Sequence, residues 1–156
     1  MAPAESLLAT AVDFFTQQGW SFVQLAGRSA LQLKVSDADA EWLCYAQAND
    51  TQRQFIFYSV CPVTPPTETR PTFAEYLTRA NFGLPIGNFE MDFEDGEVRF
   101  KTSIDIGGDQ LTPSLVGRLV QHNLWAVRKY LPGMLALIGG ETSPAAAIAR
   151  AESAQT

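Results

Sequence analysis

The stretch Ile86-Gly87-Asn88-Phe89-Glu90-Met91-Asp92-Phe93-Glu94-Asp95-Gly96-Glu97-Val98-Arg99-Phe100-Lys101-Thr102-Ser103-Ile104-Asp105-Ile106 decides the fold. Apolar and polar residues alternate on both sides of Asp95-Gly96, a dipeptide suited to a type I′ turn, so the spacing predicts a β-hairpin of 86–94 and 97–106. With Asp95-Gly96 as a two-residue loop, Glu94 faces Glu97, Phe93 faces Val98, Asp92 faces Arg99, Met91 faces Phe100 and Glu90 faces Lys101. One face then pairs apolar with apolar, and the other pairs acid with base twice, each pair contributing ~0.2–1 kcal/mol. The five acids between Glu90 and Glu97 also raise a calcium or magnesium reading. Gly96 stands fifth from Asp92 rather than sixth, and Ser103 occupies the twelfth position where an EF-hand needs a bidentate acid. The cross-strand bases neutralise the acids a cation would need, so a solvated hairpin face is the simpler reading.

Working toward the N-terminus, a helix is expected over about 72–81. Thr72 and Glu75 have capping-box spacing, and Phe73, Tyr76, Leu77 and Ala80 recur at helical intervals. The four prolines between Pro62 and Pro71 make an extended connection. Before it, the runs 20–25, 31–35, 41–48 and 54–61 read as an antiparallel meander of three or four strands. A first helix is expected over 6–18, with Ser6 as N-cap and Gly19 just past its end.

Beyond the hairpin, Thr112-Pro113 starts a long helix whose apolar face carries Val116, Val120, Val127, Leu131, Met134 and Ile138. Pro132-Gly133 is expected to kink or split it. Residues 1–140 read as a single α+β domain, an antiparallel sheet packed by helices in the order α-β-β-β(-β)-α-β-β-α. Residues 141–156 form an alanine-rich tail, frayed or a short helix from Ser143-Pro144, because its apolar stripe is thin.

Composition narrows the function. The 156 residues carry 11 Lys and Arg against 17 Asp and Glu, a net charge of −6. A chain of this length buries roughly 70% of its unfolded surface without disulfides or metal. An acidic balance with pI near 4.7 argues against nucleic acid and anionic membranes. The start Met1-Ala2-Pro3-Ala4-Glu5-Ser6 lacks a basic n-region, and the apolar run 130–140 is too short for a membrane helix, so a cytosolic protein is expected. One histidine, His122, and two cysteines, Cys44 and Cys61, supply too few soft ligands for zinc.

His122 lies at the edge of the long helix's apolar stripe with no Ser or Cys within a turn, and reads as a bordering residue. Cys44 and Cys61 sit in apolar strands with no cation to activate them. The glycines at 83, 87, 107 and 108 lack a Walker lysine and read as turns. The aromatics of the meander recur at period two, as core residues do. No catalytic set emerges.

The segments Tyr76-Leu77-Thr78-Arg79-Ala80-Asn81-Phe82-Gly83-Leu84, Ile86-Gly87-Asn88-Phe89-Glu90-Met91-Asp92 and Asp95-Gly96-Glu97-Val98-Arg99-Phe100-Lys101-Thr102-Ser103-Ile104-Asp105 resemble the YbjN family. So do Tyr130-Leu131-Pro132-Gly133, Gly19-Trp20 and Phe57-Tyr58-Ser59. The resemblance spans about residues 6–140, is most specific at 76–105, and looks like the cyanobacterial branch. It implies a fold similar to type III secretion chaperones and a role in sensory-transduction regulation, and it brings no catalytic residues. A separate first strand at 20–25 is one more than that fold usually shows.

The resemblance therefore implies a non-enzymatic, cytosolic, chaperone- or adaptor-like module with no cofactor. It would bind a protein partner at a sheet edge or apolar groove. Trp20, Phe82 and Trp125 are the candidate anchors. Phe73, Tyr76 and Leu77, or the long helix, are candidates for a homodimer interface. The alternative is a small-molecule sensor or enzyme with a pocket between sheet and long helix, where His122, Asn81 or Asn88 would converge.

Overall fold

Ser6 starts the first element: its hydroxyl accepts the Ala9 N–H at 3.4 Å, and α1 (Leu7–Gln17) follows. Gly19, at φ +72°, turns the chain out of it. The computed structural model describes residues 6–154; positions 1–5, read above for targeting, and 155–156, the end of the tail, lie outside the described residues.

Four strands then form the meander: β1 (Val23–Gln24), β2 (Ala30–Ser36), β3 (Glu41–Asn49) and β4 (Gln54–Val60). A 3₁₀ turn at Thr67–Thr69 leads into α2 (Arg70–Phe82), and β5 (Asn88–Met91) and β6 (Val98–Asp105) complete the sheet. All pairings are antiparallel, in the order β1-β2-β3-β4-β6-β5. The long helix α3 (Pro113–Ile138) and the shorter α4 (Pro144–Ser153) follow. The element order is the expected α+β one, with the separate first strand shrunk to two residues.

The inner face of the sheet carries Leu31, Leu33, Val35, Trp42, Cys44, Ala46, Phe55, Phe57, Val98 and Phe100, all buried. Period-two alternation puts these residues on one side, and α1 and α3 cover them. α2 and α4 close the β5 end, where Tyr76 and Tyr130 stack edge to face.

Several local expectations change. The hairpin is two residues out of the expected register: Glu90 faces Arg99, Phe89 faces Phe100 and Met91 faces Val98. A shift of two preserves which face each side chain occupies. The loop is correspondingly wider, closed by Asp92 N–H to Glu97 O at 2.9 Å and Gly96 N–H to Asp92 O at 2.8 Å, with Gly96 at φ +80°. Arg70 favours this wider loop by donating to Phe93 O at 2.9 Å and Pro65 O at 3.1 Å.

The Thr72–Glu75 capping box is not used, because α2 starts earlier, at Arg70, on the preceding 3₁₀ turn with Pro71 in its first turn. α3 runs unbroken through Pro132. The missing N–H frees only the Arg128 carbonyl, and both residues lie on the exposed side where water reaches it. The thin stripe of the tail docks after all: Ser143 caps α4, and Ala147 and Ala151 are buried against α2 and α3. Small side chains suffice because they let the helix backbones approach closely.

Candidate interaction surface

Leu25 N–H donates to Ala30 O at 3.0 Å, and Val23 pairs with Gln32. Even-numbered residues of β2 therefore turn their backbone groups away from β3. β1 covers only the first half of that edge. Among the described residues no strand pairs with the outward N–H and C=O of Lys34 and Ser36. There the chain at 20–22 peels away toward α1 and leaves a cleft of about 420 Å³, lined by Trp20, Ser21, Val35, Leu124 and Arg128 beside those two residues.

A second cleft of about 380 Å³ adjoins it and shares Trp20, Leu124 and Arg128. Phe14, Gln18, Gln121 and Trp125 complete its lining. Trp20 is held by stacking on the buried Phe15, ring centroids 5.7 Å apart. Trp125 remains 41% exposed, with the Lys129 ammonium 4.8 Å over its ring. Arg128 reaches Asp37 at 3.3 Å. The Asp37 carboxyl titrates below its ordinary range because the Asp39 and Ala40 N–H groups, and then Arg128, favour its anion.

The opposite edge is capped at Phe89. Asn81 Oδ1 accepts the Phe89 N–H at 2.7 Å, and its Nδ2 donates to Phe89 O at 3.0 Å. One side-chain amide thus takes the place of a further strand on β5. A concavity of about 450 Å³ lies on the outer sheet face, near Tyr45 and Tyr58. Its Arg99 lies 4.3 Å over the Tyr58 ring and is ion-paired with Glu90.

The expected anchors separate accordingly. Trp20 and Trp125 meet in one cleft. Phe82 is exposed, but it ends α2 beside β5, across the sheet. Phe73, Tyr76 and Leu77 are buried in the chain's own core, so they offer no dimer surface; α2 spends its apolar face on α3, α4 and β5. The pocket reading fares no better. Asn81 and Asn88 bond to Phe89 at the sheet edge, while His122 lies half-buried on α3. They do not converge.

What faces the sheet from α3 is Asn123, fully buried. Its Oδ1 accepts Ser59 Oγ–H at 2.5 Å, and its Nδ2 donates to Phe57 O at 2.9 Å and Phe100 O at 3.1 Å. Ser59 in turn accepts Trp42 Nε1–H at 3.0 Å, and Thr102 donates to Leu119 O at 2.9 Å. The signal was an asparagine within the apolar stripe, three residues after Val120 and four before Val127. This network ties α3 to β3, β4 and β6.

Burial pushes the Cys44 thiol up to about 11 and Cys61 to about 12, leaving both inert at neutral pH. Of the hairpin acids, Glu90 pairs with Arg99 and with Lys101, the latter at 3.3 Å. Asp92 and Asp95 accept backbone N–H groups of the loop at 2.8 and 2.9 Å. Among the described residues no group of three or more His, Cys, Asp or Glu side chains is placed to hold a metal ion. No helix among them is long and apolar enough to cross a membrane.

An antiparallel sheet built as helix, meander, helix, hairpin and helix defines the type III secretion chaperone-like class of α+β proteins. Within that class the chain belongs to the YbjN family, described as "Putative bacterial sensory transduction regulator", whose profile matches residues 12–136. It is similar to a structure described as "YbjN, a putative transcription regulator from E. coli". The two share 13% identity with a TM-score of 0.58, over 79% of this chain and 89% of that one. It is also similar to a chain of the HopA1-SchA chaperone-effector complex, at 11% identity and TM-score 0.52, over 77% and 88% of the two chains. No curated protein matches the chain.

Proposed function

We propose that this protein is a non-enzymatic, chaperone- or adaptor-like module of a cytosolic regulatory pathway. It binds an extended segment of a partner protein by adding it as a strand to β2. The observation that carries this reading is the half-open β2 edge. Lys34 and Ser36 present unpaired backbone groups beside a cleft in which Trp20 and Trp125 can anchor the partner's apolar side chains. Strand addition gives affinity through main-chain hydrogen bonds and specificity through alternate side-chain pockets. The chaperone-effector neighbour and the regulator description of the family agree with it. With Phe73, Tyr76 and Leu77 buried, a homodimer would use the exposed α3 residues Trp125 and Leu135. A particle of ~17 kDa by light scattering would exclude one.

The edge geometry supplies a selective test. Lys34→Pro deletes an outward N–H while leaving the β2–β3 ladder intact, since proline is tolerated on an edge strand whose N–H faces solvent. Tagged wild-type and Lys34→Pro proteins are used to capture partners from the native cytosol, with circular dichroism to confirm the fold of both. A protein recovered by the wild type and lost from the folded variant is the expected result. Equal recovery by both proteins overturns strand addition at this edge.

A further inference from the structure

Between α3 and α4 lies a cleft of about 520 Å³ that shares no lining residue with the two clefts beside β2. Short apolar side chains line it, Ala136 from α3 and the buried Ala147 and Ala151 from α4, with Leu135 54% exposed beside them. Lys129 reaches the cleft from α3 and Arg150 from α4. Among the described residues neither cation has an ion-pair partner, in contrast to Lys34 and Arg128 beside β2. The nearby acids are turned elsewhere. Glu152 stands two positions from Arg150, ~200° around the helix, and its carboxylate accepts the Tyr130 hydroxyl at 3.5 Å. Glu141 does line the cleft, but its Oε1 leans over Gly139, 3.2 Å from where a Cβ there would stand. The lining thus sets two cations against one acid.

We propose that this cleft binds an amphiphilic monocarboxylate, its head held between Lys129 and Arg150 and its hydrocarbon laid over Leu135, Ala136, Ala147 and Ala151. Charge and shape carry the argument together. A guanidinium grips a carboxylate with two parallel N–H bonds and an ammonium adds a point charge, and such bonds are roughly twice as strong as neutral ones. Two unpaired cations on the two walls of one cleft repel each other, and an anion between them removes that repulsion. The one net positive charge of the lining matches a monoanion better than a phosphate dianion. The cleft's size falls within the ~300–1,000 Å³ of small-molecule sites.

The site also bears on α4. Only its two alanines are buried against α2 and α3, so little apolar area seats it. A carboxylate joining Lys129 to Arg150 ties α4 to α3, and occupancy therefore stabilises the docked helix by mass action. The family profile ends at residue 136 and spans only the α3 side of the cleft. The test does not depend on strand addition at β2.

That test is calorimetric titration of the full-length protein with sodium octanoate. Octanol and octylammonium chloride present the same tail without the anion. Octanoate is expected to bind once per chain, about tenfold tighter than either, and to lose that advantage as salt is raised. Lys129→Met/Arg150→Met is expected to abolish the preference with an unchanged circular dichroism spectrum. Lys129→Glu/Arg150→Glu is expected to transfer it to octylammonium, a gain that misfolding does not imitate. Glu141→Gln is expected to tighten octanoate two- to threefold, about what removal of one partly screened like charge gives. Hydrogen exchange of the α4 amides is expected to slow when octanoate is bound. Absence of octanoate binding, equal binding of octanoate and octylammonium, or many octanoates per chain overturns the proposal. So does a preference that survives Lys129→Met/Arg150→Met, weaker binding by Glu141→Gln, or α4 exchange that octanoate leaves unchanged.

Discussion

The phenol of Tyr76 occupies the space that a side chain at position 133 would need. A Cβ on Gly133 would lie 2.2 Å from Tyr76 Oη and 2.7 Å from its Cζ, closer than atoms pack. The same hydroxyl donates to Tyr130 O at 2.7 Å, so α2 and α3 are keyed together at Tyr130-Leu131-Pro132-Gly133.

Gly133→Ala should therefore destabilise the protein by about 2–3 kcal/mol through overpacking, despite alanine's better helix propensity. Tyr76→Phe should cost about 1 kcal/mol for the lost hydrogen bond. The atom nearest the added methyl is the hydroxyl, so the double variant should be more stable than the sum of the single effects predicts. Urea unfolding of the four proteins measures the coupling, and simple additivity would show that the two residues do not share this space.

Asn123 is the second test of how the helix is held to the sheet. Its amide satisfies Ser59 and two strand carbonyls in a fully buried site. Asn123→Ala should cost about 3 kcal/mol, because it leaves buried polar groups without their partner. Asn123→Leu restores most of the volume and none of the hydrogen bonds, so it should recover less than half of that loss. Full recovery by leucine in thermal or chemical unfolding would make the site a packing position rather than a polar clamp.

These residues show what was legible in the sequence and what was not. Element order followed from period and turn chemistry, which are local. The hairpin register did not, because Asp95-Gly96 signals a tight turn while Arg70, in a different element, binds the Phe93 and Glu94 carbonyls of a wider one. Trp20 and Trp125 both stood out as large aromatics, yet only the tertiary fold brings them into one cleft and sends Phe82 to the far edge. Phe73, Tyr76 and Leu77 looked the same whether they faced a partner or the core. A helical stripe shows which side is apolar and leaves open what covers it. Asn81 was visible as a polar residue near a helix end, but its role on β5 depends on Phe89, eight positions away.

The buried thiols make stability fall at alkaline pH. Cys44 and Cys61 are raised by burial to about 11 and about 12, from an ordinary value of 9.0. Burial also raises Tyr76 and Tyr130. A group whose pKa is raised by folding holds its proton more tightly in the native state. Its contribution is complete below the unfolded pKa and is lost as pH climbs through the folded one. Unfolding midpoints should thus be insensitive to these thiols below about pH 8 and decline between about pH 9 and 12. Replacing both cysteines by alanine should flatten part of that decline. At pH 8 a thiol reagent should label the native protein far more slowly than the urea-unfolded one, and equal labelling would contradict the burial.

The two sheet edges should respond in opposite ways to loss of a single side chain. On β5, Asn81 satisfies both outward backbone groups of Phe89, and at β2 no side chain among the described residues does the same for Lys34. Asn81→Ala should cost about 1–2 kcal/mol and bare an edge that invites pairing with another chain. Asn81→Asp keeps an acceptor for the Phe89 N–H, loses the donor to its C=O and sets an anion near that oxygen, so it should rescue little. Light scattering across a concentration series should show association beyond the wild type in both Asn81 variants. Lys34→Pro should show none, because it blunts an edge instead of baring one. An Asn81→Ala protein as stable and as monodisperse as the wild type would mean that the amide is incidental. The capping of Phe89 would then no longer favour β2 over β5 as the edge for the proposed strand addition.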